Sequence, residues 1–271
     1  MSAYLVGTKS YWAILIVVFL RYLIIASIAF AVFYLIKRES WRFKKIQPKF
    51  PASKDYFREI AYSILTAFIF AAIGYIVFLT PLTAYTQAYF QIQERGVGYL
   101  VFSILLIIVI HDTYFYWTHR LMHYPSVYRW FHKVHHLSTN PSPWAAMAFH
   151  PLEAVVEAGI IVLVVFLFPV HPLAIGIFLL FMMLYNVYGH LGFELYPRGF
   201  SKSMMGKWIN TSVNHNQHHQ FFKGNYRLSL PTGSWFRRDQ SGRRVHYFHT
   251  FRWFQTGSHP VKRPSSVSRS Y

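Results

Sequence analysis

Long apolar runs dominate the chain and decide which elements the sequence predicts. Three of them have the roughly 20 mostly apolar residues that a helix needs to cross a bilayer. Two shorter runs follow, and the proline-containing segment 168–172 between them favours a helical hairpin that either spans the membrane or re-enters it. The five runs are 11–36, 60–80, 97–117, 154–168 and 172–188. This pattern predicts an all-α integral membrane protein, a helical bundle with about four transmembrane helices.

The first predicted span contains one charged residue, Arg21, near its middle. A charge is costly inside a bilayer, so we expect Arg21 to face other helices or to extend toward the interface. The apolar run around it is too long for a cleavable signal peptide, and no small-residue cleavage site ends it. We therefore expect this run to remain in the protein as a membrane helix.

The composition agrees with a membrane protein and excludes several other classes. Hydrophobic residues make up 54% of the 271 residues and charged residues only 13%, where about 25% is usual. Aromatic residues reach 20%, which excludes a disordered chain. The absence of cysteine excludes a disulfide-linked scaffold, a thiolate metal site and a cysteine nucleophile.

The formal net charge is +18, and the basic residues are concentrated in two segments. Residues 37–58 contain eight Lys or Arg, and residues 198–271 contain thirteen against the single acid Asp239. Such segments are typical of cytoplasmic flanks beside anionic lipid, and we expect no nucleic-acid partner. Loop 37–58 is then cytoplasmic, the nearly neutral loop 81–96 lies on the far side, and every histidine cluster falls on the cytoplasmic face.

Fifteen histidines are many for this length, and eight of them form three clusters. The first cluster has the spacing i, i+4, which places both rings on one helix face. In the other two, positions i and i+3 share a face and position i+4 lies beside them; a further histidine stands alone. The nine residues are His119 and His123, then His132, His135 and His136, then His190, and finally His215, His218 and His219.

Clustered imidazoles indicate metal binding. Neutral imidazole is the commonest metal ligand and suits iron, zinc, copper and nickel. Nine rings exceed what one ion with open positions can use, but they match two ions with room for a small molecule. A zinc protease is disfavoured because no cluster contains the glutamate of His-Glu-x-x-His, and glycine-rich phosphate loops are absent.

The three clusters resemble the histidine boxes of the fatty acid hydroxylase/sterol desaturase superfamily of integral-membrane di-iron enzymes, bacterial sterol C-5 desaturase-like members most of all. Residues 112–120, Asp-Thr-Tyr-Phe-Tyr-Trp-Thr-His-Arg, resemble the lead-in to the first box. Residues 148–153, Ala-Phe-His-Pro-Leu-Glu, resemble the segment after the second box. Residues 189–194, Gly-His-Leu-Gly-Phe-Glu, resemble the segment that supplies a further ligand, and the resemblance covers residues 60–226.

This resemblance implies a bundle of membrane helices with a cytosolic helical cap that holds a dinuclear metal site. It implies two iron ions at a catalytic centre formed by the nine histidines, with zinc able to load recombinant material. Asp112 and His150 are expected to hydrogen-bond ligating rings and so to support them. Glu194 is expected either to do the same or to ligate directly. For His111 the sequence leaves open a supporting role or an ordinary interfacial histidine.

The implied activity is O2-dependent oxidation of an unactivated C–H position in a sterol or fatty acyl lipid, by hydroxylation or desaturation. Electrons must come from a cytochrome b5-like protein, a ferredoxin or a reductase, because the sequence has no flavin, haem or iron–sulfur motif. One alternative is another histidine-box oxygenase, an acyl desaturase or alkane hydroxylase, although those have wider first-box spacing. The other is a non-catalytic or inactive membrane metal-binding protein.

Three regions are predicted: an N-terminal membrane helix with a basic cytoplasmic loop at 1–59, the catalytic domain at 60–226, and a basic tail at 227–271. The resemblance ends at Tyr226, after which the sequence is rich in Arg, Ser, Gly and Pro and has no periodicity. The tail is either genuine and disordered or the product of a changed reading frame near residue 227, which its composition favours. A frame change would remove the helix behind the third box and weaken the metal site.

Overall fold

Helices form most of the described structure. The computed structural model describes residues 2–222 except 198, 201, 202, 205, 207 and 208, so the predicted tail lies outside the described residues. Within them the chain forms seven α-helices and no β-strand, only two isolated backbone bridges. The helices are α1 (Ser2–Phe30), α2 (Ser53–Leu79), α3 (Gly96–Met122), α4 (Pro125–Phe131), α5 (Pro151–Leu167), α6 (Pro172–Gly189) and α7 (Ser212–Phe221). The predicted all-α class is therefore confirmed.

Four helical segments are long and apolar enough to cross a membrane. They are Ser10–Ile36, Ser53–Leu79, Gly96–Met122 and Pro172–Gly189. The first includes a π-helical extension of α1 at Ala31–Ile36. Their outer faces carry exposed apolar side chains, for example Val17 at 64% and Phe102 at 54% exposure, as surfaces that contact lipid require. The predicted number of membrane helices is confirmed, and each predicted apolar run overlaps one helix.

The hairpin formed by α5 and α6 runs the length of the bundle. Its tip packs against the loop that joins α2 to α3. Gln87 N donates a hydrogen bond to Val165 O at 2.7 Å, and Tyr89 N donates to Val170 O at 3.2 Å. Because this loop lies at the far ends of α2 and α3, the hairpin reaches the end of the bundle that is remote from the histidines. The structure therefore favours a full-length hairpin over a re-entrant one.

The basic loop between α1 and α2 lies at the other end, beside the chain that follows α6. Ile46 N donates to Gly192 O, and Glu194 N donates to Lys44 O, each at 3.0 Å. Gly192 has a φ of +73°, and a Cβ added there would lie 2.9 Å from the Tyr34 hydroxyl, so the turn requires glycine. The basic loop and the segment after α6 therefore form one end of the bundle together.

The turn before α5, Pro143–Met147, is inserted between α1, α2 and α6. Tyr22 OH from α1 and Ser63 Oγ from α2 both donate to Trp144 O at 3.0 Å. These two hydroxyls supply the hydrogen bonds that the Trp144 carbonyl needs and that the surrounding apolar side chains cannot provide. They hold in place the segment that leads from the second histidine box into α5.

Candidate metal centre

Helix ends bring the histidine boxes together. The last turn of α3 carries His119, and His123 directly follows the end of that helix. Helix α4 begins with Pro125, a residue suited to the first helical position because its missing N–H has no helical partner there. The second box follows α4, His190 follows α6, and α7 carries the third box.

The nine histidines form two groups, and within each group the ligand nitrogens lie within 4.8 Å of one another. The first group consists of His119, His123, His132, His136 and His218. Its closest Nε2–Nε2 separations are 2.9–3.2 Å. The second group consists of His135, His190, His215 and His219. Its closest Nε2–Nε2 separations are 3.0–3.3 Å.

The second and third boxes each contribute to both groups. In the third box, His215 and His219 belong to the second group, whereas His218 belongs to the first. In the second box, His132 and His136 belong to the first group, whereas His135 belongs to the second. Helical residues four apart differ in direction by about 40° and residues three apart by about 60° in the opposite sense. In both boxes, the histidines at positions i and i+4 therefore belong to the same group. The sequence had predicted that the histidines at positions i and i+3 would share a face.

The donor atoms of both groups fit metal ions. A neutral imidazole offers one N–H and one lone pair, so four or five Nε2 atoms at this spacing cannot all be satisfied by hydrogen bonds to one another. A cation about 2.1 Å from each nitrogen would place neighbouring nitrogens about 3.0–3.4 Å apart in tetrahedral or octahedral geometry. The observed separations agree with that range.

Burial favours the neutral form of the rings, which is the form that binds metal. Desolvation lowers the pKa of His190 to about 4, although its hydrogen bond to the Asn186 carbonyl acts in the opposite direction. The same desolvation, reinforced by neighbouring rings, lowers the pKa of His123, His132, His135, His136, His215 and His219 below the ordinary value of 6.5. Near pH 7, protons therefore compete weakly with a metal for these lone pairs.

Glu153, in the first turn of α5, orients one ring of the first group. Nδ1–H of His132 donates to Glu153 Oε1 at 2.6 Å, and both side chains are buried. This contact fixes the ring tautomer, so the Nε2 lone pair faces the first group. Glu153 lies within the segment 148–153 that resembles the family, although the supporting role predicted from that segment is that of His150, three residues earlier. The available signal was an acid in the first turn of a helix whose only charged residues are Glu153 and Glu157.

Backbone carbonyls orient two rings of the second group. His135 Nδ1 lies 3.3 Å from Ala148 O, and His190 Nδ1 lies 2.8 Å from Asn186 O. With Nδ1 donating to these carbonyls, the Nε2 lone pairs point toward the group. The segment between the second box and α5 is thus tied directly to the site.

Two of the residues predicted to support the candidate ligands lie on the elements that carry the site. Asp112 is buried on α3, seven residues before His119 and on the same face. His150 caps α5, because its Nδ1 accepts a hydrogen bond from Leu152 N at 3.3 Å. Support of the ligands by Asp112 and His150 remains a prediction.

Glu194, the third such residue, joins the end of α6 to the start of α7. Its carboxylate accepts hydrogen bonds from Tyr188 OH at 2.9 Å, Tyr196 N at 3.0 Å and Val213 N at 3.2 Å. The bond from Val213 satisfies an N–H in the first turn of α7, where helix N–H groups lack partners. Glu194 therefore positions the helix that carries the third box, and direct ligation by it remains a prediction.

A cavity adjoins both groups and extends between the long helices. Its walls are mainly aromatic and aliphatic side chains, among them Phe115, Phe178 and Met182. Histidine rings of both groups line it, as do the polar residues Arg21, His111, Glu153, Glu157 and Asn186. Arg21 thus faces the interior of the bundle, as expected from its cost in lipid.

The arrangement defines a class: an integral-membrane helical protein with two histidine groups that can hold metal ions beside an apolar cavity. A family model described as fatty acid hydroxylase matches residues 104–240, just over half of the chain. The chain belongs to this family. All nine histidines of the two groups lie within the matched residues.

Several curated proteins are similar to this chain. A Delta(7)-sterol 5(6)-desaturase of Gibberella zeae is 32% identical over 149 residues, 55% of this chain and 45% of the relative. One of Aspergillus fumigatus is 33% identical over 165 residues, 55% of this chain and 51% of the relative. Human lathosterol oxidase is 28% identical over 171 residues, 62% of this chain and 56% of the relative.

The chain spans about half the length of these relatives. They are fungal and mammalian, so a particular likeness to bacterial members remains a prediction. No solved structure is significantly similar.

Proposed function

We propose that this protein is a di-iron, O2-dependent oxidoreductase that desaturates an unactivated position of a sterol. The observation that carries the proposal is the convergence of nine imidazoles, eight of them buried, in groups of five and four, at one end of an apolar cavity. The names of the similar proteins, which are sterol desaturases and lathosterol oxidases, support the sterol and the desaturation. Hydroxylation of a sterol, or oxidation of a fatty acyl lipid, would use the same site.

Iron bound by the two groups would supply the reduction of O2 and the removal of hydrogen from carbon. The protein's own residues do the rest. The nine rings would hold the ions, and Glu153, Ala148 O and Asn186 O keep three of those rings in the tautomer that leaves Nε2 free to bind metal. The aromatic and aliphatic walls of the cavity bind the apolar substrate and exclude water from the reacting carbons.

The electron balance requires a partner. Desaturation removes two hydrogen atoms from the substrate, so reduction of O2 to two water molecules needs two more electrons and two more protons. We propose that a cytochrome b5-like protein, a ferredoxin or a reductase supplies these electrons at the end of the bundle that carries the basic loop. By the positive-inside tendency, this end and the metal site face the cytoplasm.

The test uses the full chain, purified in detergent and supplied with a reductase and a Δ7-sterol. We expect about two iron ions per chain by elemental analysis, coupled in the Mössbauer spectrum, and a product lighter by two hydrogen atoms. His135→Ala should reduce both metal content and product. His171→Ala, which changes a histidine that contacts Phe90 O at the hairpin tip, is the matched control and should change neither. Less than one metal ion per chain, or zinc that iron cannot replace, would contradict the proposal.

A further inference from the structure

The cavity contains a carboxyl group that the metal site does not use. Glu157 lines the cavity on α5, four residues after Glu153 and therefore on the same helix face. Glu153 contacts His132, whereas Glu157 has no hydrogen bond or ion pair with the described residues. A carboxyl group facing an apolar cavity without a partner is costly unless a ligand supplies one.

The position of Glu157 places it close to the metal ligands. Four residues of α-helix correspond to about 6 Å along the axis. A substrate group bound to Glu157 would thus lie about one helical turn from the carboxylate that holds His132. The carbons presented to the metal site would then be only a few bonds from that polar group.

Two other polar side chains line the same cavity. Nε of Arg21 is buried and has no partner among the described residues, and the same is true of Nδ1 of His111. His111 is 6% exposed and packs its ring against Phe115 and Phe178. His111 lies eight residues, or about 12 Å of helix, before His119, so it is farther along the cavity from the ligands than Glu157.

We propose that Glu157 determines substrate specificity by accepting a hydrogen bond from the hydroxyl group of an uncharged alcohol lipid. This inference rests on the proposed function and deepens it, because it names the residue that binds the hydroxyl group of the substrate. A ring alcohol of the sterol type fits, because its hydroxyl lies a few bonds from ring carbons that can be oxidised. A fatty acid does not fit, because its chain is oxidised many bonds from the head group.

The experiment measures binding by the full chain in lipid nanodiscs. The probes are tritiated 5α-cholest-7-en-3β-ol, the same sterol lacking its 3-hydroxyl, and oleate. The variants are Glu157→Leu, which removes the acceptor, and Glu157→Gln, which retains one. Val155→Ala, on the exposed face of the same helix, is the matched control, and Arg21→Met tests the alternative head-group contact.

In the wild type, the sterol alcohol should bind about 10-fold or more tightly than the deoxy sterol, the effect of one well-made hydrogen bond in a buried site. Glu157→Leu should abolish this difference, whereas Glu157→Gln and Val155→Ala should retain most of it. Equal binding of the two sterols by the wild type would overturn the proposal, and so would an unchanged preference in Glu157→Leu. Tighter binding of oleate than of the sterol, lost in Arg21→Met, would overturn it as well.

The two proposals can fail separately. If the wild type prefers the hydroxylated sterol through Glu157 but holds no iron and forms no product, the oxidoreductase proposal fails and the specificity proposal stands. If the wild type holds two iron ions and oxidises lipid, but Glu157→Leu keeps normal iron content and an unchanged preference, only the specificity proposal fails. The comparison of the two sterols on the wild type tests the preference for the hydroxyl group even if the Glu157→Leu variant does not fold.

Discussion

At the scale of single residues, the metal site depends on side chains and carbonyls that never touch a metal. One of these contacts joins His132 Nδ1 to the Glu153 carboxylate at 2.6 Å. It lies where the cavity and the first group meet, so a change there affects both ring orientation and local charge. Loss of such a partner typically weakens metal binding by about 10- to 100-fold.

Glu153→Leu should therefore lower metal affinity by about 10- to 100-fold, because His132 loses the acceptor that fixes its tautomer. Glu153→Gln, whose amide oxygen can still accept from Nδ1, should lose less. Competitive metal titration of the purified protein measures the affinity. Glu157→Gln, one turn further along the same helix, is the control and should bind metal normally. Equal affinity of wild type and Glu153→Leu would show that this contact does not support the ligand.

Lys45, in the basic loop, gives a prediction about pH. Its ammonium has no hydrogen-bond partner among the described residues, and it lies 5.3–5.8 Å from the ring centroids of Tyr34, Phe50 and Phe193. Burial lowers its pKa from 10.5 to about 8. Between pH 8 and 10.5 the unfolded chain therefore binds more protons at this residue than the folded protein, so its contribution to stability rises with pH across this window.

We expect Lys45→Met to remove part of the stability that the wild type gains between pH 7.5 and 9.5. The thermal unfolding midpoint of the detergent-solubilised protein at these two pH values measures the gain. Lys49→Met, which changes an exposed lysine of the same loop, should keep it. If Lys45→Met shows the same pH dependence as the wild type, Lys45 is protonated equally in the folded and unfolded states.

At the scale of elements, α7 is the short helix on which both histidine groups depend. It supplies two of the four rings of the second group and one of the five rings of the first. Its start is held by Thr211 Oγ1, which accepts from Asn214 N at 3.4 Å, and by the Glu194 carboxylate, which accepts from Val213 N. A helix of 10 residues is marginally stable on its own, so these contacts decide its position.

Glu194→Ala should therefore reduce metal content from about two ions to about one, because the second group has the larger share of its ligands on α7. Elemental analysis after dialysis measures the content. Tyr196→Phe is the control, since Tyr196 contacts Glu194 through its backbone N–H and the substitution leaves that bond in place. Equal loss of metal from both groups, or none, would contradict the assigned role of Glu194.

At the scale of the whole molecule, the bundle has two chemically different ends. One end combines the histidine groups, the basic loop and the segment after α6. The other combines the loop between α2 and α3 with the tip of the α5–α6 hairpin. Backbone hydrogen bonds join the segments within each end, such as Ile46 N to Gly192 O at one end and Tyr89 N to Val170 O at the other.

The two ends should lie on opposite sides of the membrane, with the histidine end in the cytoplasm. Because the chain has no cysteine, single cysteines can be introduced at Lys49 and at Tyr85, which is 77% exposed. A membrane-impermeant thiol reagent should label Tyr85→Cys in intact cells and Lys49→Cys only after the membrane is opened. Labelling of both positions from one side would contradict a spanning arrangement, and the reverse pattern would invert the proposed orientation.

The amino-acid sequence by itself determined the helical membrane class, the approximate positions of the long helices and the nine histidines that converge. The helical class and the spacing within each histidine cluster follow from local patterns, since apolar run length and residue spacing act through the geometry of a single helix. The grouping of the three clusters with His190 was implied by the resemblance to the family. The tertiary structure alone decided the division of the rings into five and four, the role of Glu153 and the full length of the α5–α6 hairpin. These features depend on how the ends of the helices pack against one another. Segments that are distant in sequence decide which ring nitrogens lie close together and which carboxylate accepts a hydrogen bond from a buried imidazole.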